Sequence, residues 1–118
     1  MATTTLLLLI NSVRPTQFPL QTEPVLQRLA EKRCSSTVSF SHDDFWSTYS
    51  KLEQGLGYRN VGENLALNFS NSESAFSALE NSPTHRRNDH SLYFQKVGVA
   101  TCQKSFGNWF TVIEFAGN

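Results

Sequence analysis

Val97-Gly98-Val99-Ala100-Thr101-Cys102 and Trp109-Phe110-Thr111-Val112-Ile113-Glu114-Phe115 are two β-branched and aromatic runs joined by a turn containing Gly107-Asn108. They read as a β-hairpin. In the second run Trp109, Thr111, Ile113 and Phe115 share one face, and Phe110, Val112 and Glu114 share the other. Apolar side chains on both faces require a sheet covered on both sides. With helical segments upstream to do the covering, the expected fold class is α+β: a three-layer α-β-α sandwich around a small, mostly antiparallel sheet.

Those helical segments are legible one by one. Leu6, Leu9, Ile10 and Val13 fall at helical spacing behind the N-cap candidates Thr3 to Thr5, and Arg14-Pro15 stops the run. Thr22-Glu23-Pro24 reads as a cap and first turn. The helix it opens runs to about Cys34, with Val25, Leu26, Leu29, Ala30 and Cys34 in one stripe. Ser35 to Gly57 reads as a loop with room for a turn of helix, carrying Phe40, His42, Phe45, Trp46 and Tyr49. Val61 to Phe69 is a candidate short strand. Ser70-Asn71-Ser72-Glu73 matches a capping box, predicting a third helix through Glu80 that buries Phe76 and Leu79. Ser82-Pro83 ends that helix and opens another. No repeat or internal boundary interrupts residues 1–118, which read as a single domain.

The composition narrows the function classes. Ten Lys+Arg balance ten Asp+Glu, and the pI is about 6.8, so the clustered positive charge of a nucleic-acid or membrane-surface binder is missing. At 118 residues, folding hides about two thirds of the unfolded surface, enough for one core. The longest apolar run, Leu6 to Ile10, is far short of the roughly 20 residues of a transmembrane span. It is also a poor signal peptide, because no Lys or Arg precedes it and no cleavage site follows. A low charged fraction, 17%, with Ser and Asn in its place, fits an exported protein.

Two cysteines, Cys34 and Cys102, are either small buried hydrophobes or one bridge. Alternation puts Cys102 on the Ala100 face. If that face meets the Leu26–Ala30–Cys34 stripe, the Cα atoms reach the about 4.4–6.8 Å that a disulfide needs. An oxidising compartment would follow.

Three titratable groups sit in unusual company: His42 after Phe40-Ser41, Glu63 between Gly62 and Asn64, and His85 in Ser82-Pro83-Thr84-His85-Arg86. Gly57-Tyr58-Arg59-Asn60-Val61-Gly62-Glu63-Asn64-Leu65-Ala66 resembles the GEN-(L/I)-A signature of the CAP superfamily. Its members are the cysteine-rich secretory, antigen 5 and pathogenesis-related 1 proteins, also called SCP domains. Ser82-Pro83-Thr84-His85-Arg86-Arg87-Asn88 resembles the SPGHRxN segment of its compact, bacterial-type branch. Leu9-Ile10-Asn11 with Arg14, Phe40-Ser41-His42 and the closing hairpin resemble further family elements, in the family's order.

The resemblance implies an α-β-α sandwich whose central cleft is lined by His42, Glu63 and His85. It also implies a possible divalent ion, zinc or magnesium, held by His42 and His85. The family's second acid stands in a Trp-x-x-Glu setting that this chain lacks. Leu79 replaces the tryptophan, and Glu80 is nearby but out of register.

Three functions compete. The first is a secreted, non-catalytic binding domain for a small apolar ligand (lipid or sterol) or a partner protein. The second is a metal-assisted hydrolase or peptidase with Glu63 as general base. The third is a structural subunit of a larger assembly, otherwise a monomer. The expected location is extracellular, with the signal peptide absent from this chain, or else cytoplasmic. Arg86-Arg87 reads as a solvated helix face pairing with Asp89, and Phe45, Trp46, Tyr49 and Tyr58 as core or as the wall of a lipid groove. Asn68-Phe69-Ser70 is an N-glycosylation sequon.

Overall fold

A leucine-rich run ahead of a proline forms α1 (Thr3–Ser12) in the computed structural model, which describes residues 3–36, 57–104 and 107–118. There follow β1 (Gln21–Thr22), α2 (Pro24–Ser36), β2 (Asn60–Leu67), α3 (Ser72–Glu80), α4 (Pro83–His90), β3 (Lys96–Gln103) and β4 (Trp109–Gly117). Phe40, His42, Phe45, Trp46 and Tyr49 lie outside the described residues.

The strands form one sheet in the order β1-β3-β4-β2. The hairpin pairs antiparallel with Val99 opposite Ile113, and β2 adds antiparallel to β4 with Glu63 opposite Glu114. β1 is an element that its two polar residues do not announce. It pairs parallel to β3, Gln21 with Lys96 and Thr22 with Val97. Beyond it the edge of β3 would be bare at Val99. The Gln27 side chain closes that gap: its Nε2 donates to Val99 O (2.6 Å) and its Oε1 accepts from Val99 N (2.9 Å). A side-chain amide thereby continues the ladder, satisfying backbone groups that are costly to leave buried and unpaired.

Both faces of the sheet are covered. On one, Ala66, Val97, Val99, Ile113 and Phe115 pack with Leu6 and Ile10 of α1 and Leu79 of α3. On the other, Leu65, Ala100, Phe110 and Val112 pack with Ala30 and Cys34 of α2. Tyr58 is half-buried against Leu26 and Ala116. Gly98 sets the depth at which α2 sits. A Cβ there would lie 2.2 Å from Leu26 O, so only glycine lets the α2 backbone touch the sheet.

The Ala100 face does meet α2, and Cys34 and Cys102 form a disulfide with Cα atoms 6.0 Å apart. Two local expectations shift. The N-cap of α3 is Asn71, whose side chain accepts from Ser74 N, rather than Ser70; Asn caps at least as well as Ser, and the box slides by one. β2 ends at Leu67 rather than Phe69, because Asn68 turns the chain out at φ 72° and donates its N–H to Trp109 O.

Two outcomes check this packing. Gly98→Ala should lower the unfolding free energy by about 2 kcal/mol or more in a denaturant titration, since α2 has to lift off the sheet; an unchanged midpoint contradicts the close approach. Denatured, unreduced protein should show no reactive thiol. Reduction of this bridge, which spans a sequence separation of 68, should cost about 4 kcal/mol on the chain-entropy argument.

Candidate functional site

Alternation along β2 decides where Glu63 goes. Leu65 faces α2, so Glu63 does too, while Gly62, Asn64 and Ala66 face the other layer. Arg33 stands on the buried stripe of α2, one turn beyond Ala30, and takes Glu63 in a two-pronged grip: Nε to Oε2 and Nη2 to Oε1, both 2.6 Å. The two side chains are 5% and 1% exposed, so the pair is sealed from water. Glu114, fully buried, lies opposite Glu63 on the same face, 3.5 Å from Arg33 Nε.

One guanidinium thus faces two carboxyls. Burial first, and then the Glu63 carboxylate, push the Glu114 carboxyl well above the usual range, against the pull of Arg33. Protonated Glu114 donating toward Glu63 is the state that leaves no uncompensated buried charge.

The second cluster lies on the opposite face. Asn64 Nδ2 donates to His85 O (3.0 Å) and Asp89 Oδ1 (3.1 Å), and its Oδ1 accepts from Asn88 Nδ2 (2.9 Å). This fastens α4 to β2. Gly62 permits the contact, since a Cβ there would lie 2.8 Å from the Phe94 ring. Asp89 is fully buried beside Glu80. Its carboxyl is pushed up to about 8, by burial first and then by Glu80, while Asn64 and Arg14 pull it down. Asp89 Oδ2 and Glu80 Oε1 are both buried and accept from no donor among the described residues. The second Glu80 oxygen, Oε2, takes His90 Nε2 at 2.8 Å.

Arg14 closes this region. Its guanidinium, in a residue 5% exposed, donates to the carbonyls of Phe18, Asp89, Ser91 and Phe94 at 2.8–3.0 Å. Asn11 holds Leu20 by both its N–H and its carbonyl. The polar residues of the opening helix therefore bind backbone.

The described candidates go to separate partners. Glu63 is held by Arg33, Glu80 by His90, and His85 Nδ1 meets Ser82 Oγ at 2.7 Å. Among the described residues no group of three or more His, Cys, Asp or Glu side chains is placed to hold a metal. His42, the fourth candidate, lies outside the described residues. Arg86 and Arg87 are exposed as expected, but Asp89 is not their partner, because it is turned inward to Asn64 and Glu80.

Of the residues that build these clusters, Asn64 belongs to the Gly62-Glu63-Asn64 motif, whereas Arg33, Glu114, Asp89 and His90 were not proposed as site residues. Arg33 left a signal: it sits at helical spacing on an otherwise apolar stripe.

Two measurements test the electrostatics. Glu63→Ala leaves the Arg33 charge buried without its carboxylate and should cost about 3 kcal/mol, against little for Glu31→Ala on the exposed face of α2; equal denaturation midpoints contradict the buried pair. For Asp89 the sign follows from the raised pKa. Native Asp89 keeps a proton that the unfolded chain releases, so this group favours the fold at low pH and loses that contribution as pH rises from about 4 to about 8. Asp89→Asn mimics the protonated form. The stability difference, variant minus parent, should therefore rise across that window, and a flat difference contradicts a retained proton.

By sequence, no family model and no curated protein matches the chain. By structure, similarity is extensive. A cysteine-rich secretory protein from Staphylococcus aureus superposes with a TM-score of 0.81 at 16% identity, over 98% of this chain and 38% of that one. An extracellular protein containing an SCP domain from Bacillus anthracis gives 0.69 at 20% identity, over 98% and 40%. Venom allergen-like protein 4 of Schistosoma mansoni gives 0.68 at 12% identity, over 98% and 87%. The chain spans well under half the length of the two bacterial proteins. Its α-β-α sandwich, with helices closing both faces of a four-stranded sheet, is the fold of the CAP, or SCP-domain, proteins.

Proposed function

We propose that the chain is a secreted, non-catalytic binding domain of the CAP superfamily that takes a small apolar ligand of the lipid or sterol class. The observation that carries the reading is the commitment of Glu63 to Arg33. A general base must reach the proton that it abstracts from a bound substrate. Both Glu63 oxygens accept from the guanidinium at 2.6 Å in a sealed interior. This burial favours a structural role for Glu63 over that of the general base in the hydrolase alternative. A divalent ion held by His42 and His85 rests on the family resemblance alone.

Support for an apolar ligand comes from the surface. Phe18, Pro19, Leu92 and Phe94 line a groove of about 490 Å³ between the α1–β1 and α4–β3 connections, rimmed by glutamines without a charged side chain among its described lining. Phe18, Leu92 and Tyr93 are each more than half exposed. Exposed apolar clusters of this kind mark ligand or partner sites. The disulfide supports an oxidising location, and no helix among the described residues is long and apolar enough to cross a membrane.

The test is displacement of a fluorescent fatty acid and a fluorescent sterol. The parent should bind one of them, with affinity weakened at least tenfold in Phe18→Ser/Leu92→Ser, whose side chains lie outside the core. Absence of binding, or equal binding by the variant, contradicts the apolar ligand. Turnover of ester or peptide substrates that disappears in Glu63→Gln contradicts the non-catalytic reading.

A further inference from the structure

Pro83, Arg86, Arg87 and His90 recur at spacings of three, one and three, so they share one face of α4. With Glu80 and Asn81 at the end of α3 they line an open cleft of about 470 Å³, on the solvent side of the elbow between the two helices. We propose that this cleft binds a phosphate monoester, with the guanidinium groups of Arg86 and Arg87 on the phosphate and its organic body along the α3–α4 elbow.

Both guanidinium groups are exposed, and only Arg86 has an ion-pair partner among the described residues. Arg86 is 61% exposed and its Nε stands 3.5 Å from Glu80 Oε2, an ion-pair approach too long for a good hydrogen bond. Arg87 is exposed and has no ion-pair or hydrogen-bond partner among the described residues. Glu80 Oε2 is already taken by His90 at 2.8 Å, and Glu80 Oε1 is buried. Asp89, which by sequence position would offset the two arginines, is turned away into the interior. The described lining of the cleft therefore carries an excess of positive charge on a chain whose formal net charge is zero.

Two adjacent guanidinium groups repel one another and present planar forks of donors, the geometry that matches two edges of a phosphate. A bare tetrahedral oxyanion fills only a fraction of about 470 Å³, which leaves room for a sugar, glycerol or lipid body beside it. The site is distinct from the apolar groove of Phe18 and Leu92, and its test is independent of that reading.

Glycerol 3-phosphate titrated into isotopically labelled protein, and co-sedimentation with phosphatidylcholine vesicles with and without phosphatidic acid, are the two arms. Arg86→Gln/Arg87→Gln is compared with Arg28→Gln, an exposed arginine of α2, as the charge control. Shifts of the residue 80–90 amides with glycerol 3-phosphate identify a soluble ester. Sedimentation only with phosphatidic acid identifies a lipid headgroup. Either result, weakened at least tenfold in the double variant and less than threefold in Arg28→Gln, supports the site. Binding in neither arm, or equal weakening by Arg28→Gln, overturns it. All three residues are exposed, so unchanged amide spectra elsewhere confirm that the variants fold.

Discussion

Strand β4 is buried along almost its whole length, Phe110 to Gly117, and it carries a carboxyl into that interior. Most of the structure follows from this constraint. A strand apolar on both faces needs helices above and below. Paired with β2, it places Glu114 directly across from Glu63, and two buried carboxylates side by side would repel strongly. Arg33 from α2 and a proton on Glu114 resolve the conflict. The position of α2 is set in turn by Gly98, by the Gln27 clip on Val99 and by the disulfide. A single layer of contacts therefore fixes helix, sheet and charge together.

The residues of the family-like motifs do structural work in this setting. Asn11 and Arg14 tie the opening helix to the backbone of two loops, and Asn64 ties β2 to α4. Gly62 admits the Phe94 ring, which stacks on Phe115 with centroids 5.2 Å apart. Polar groups used this way spend hydrogen bonds on holding the backbone together. Phe18 and Leu92 on one rim, and Arg86 and Arg87 on another, are exposed and take no part in these ties.

Much of this was legible in the amino-acid order. The two-faced apolar pattern of Trp109 to Phe115 demanded the sandwich, and alternation placed Cys102 with Ala100 toward the helix that carries Cys34. β1 was invisible because Gln21-Thr22 owes its strand geometry to β3 rather than to its own propensity. The capping box slid by one residue because Ser70 and Asn71 are both competent caps, and tertiary contacts choose between them. The site was legible only as a set of names. Periodicity shows that Glu63 and Asn64 point to opposite faces, but not which helix covers each, so Arg33 as the partner of Glu63 emerges only with the packing of α2. The pairing of Glu80 with Asp89 and His90 likewise depends on the α3–α4 elbow, which brings together groups ten residues apart.

Glu63 belongs to a buried Arg33–Glu63–Glu114 cluster. Carbon-13 detection of the two glutamate carboxyl groups through a pH titration tests it most directly. Glu114 should remain protonated through the range in which an exposed glutamate ionises, and should titrate normally only once the protein unfolds. Titration of Glu114 near the ordinary value of 4.5 in the folded protein would contradict the account, because it would show water reaching a cluster that the packing of α2 is argued to exclude.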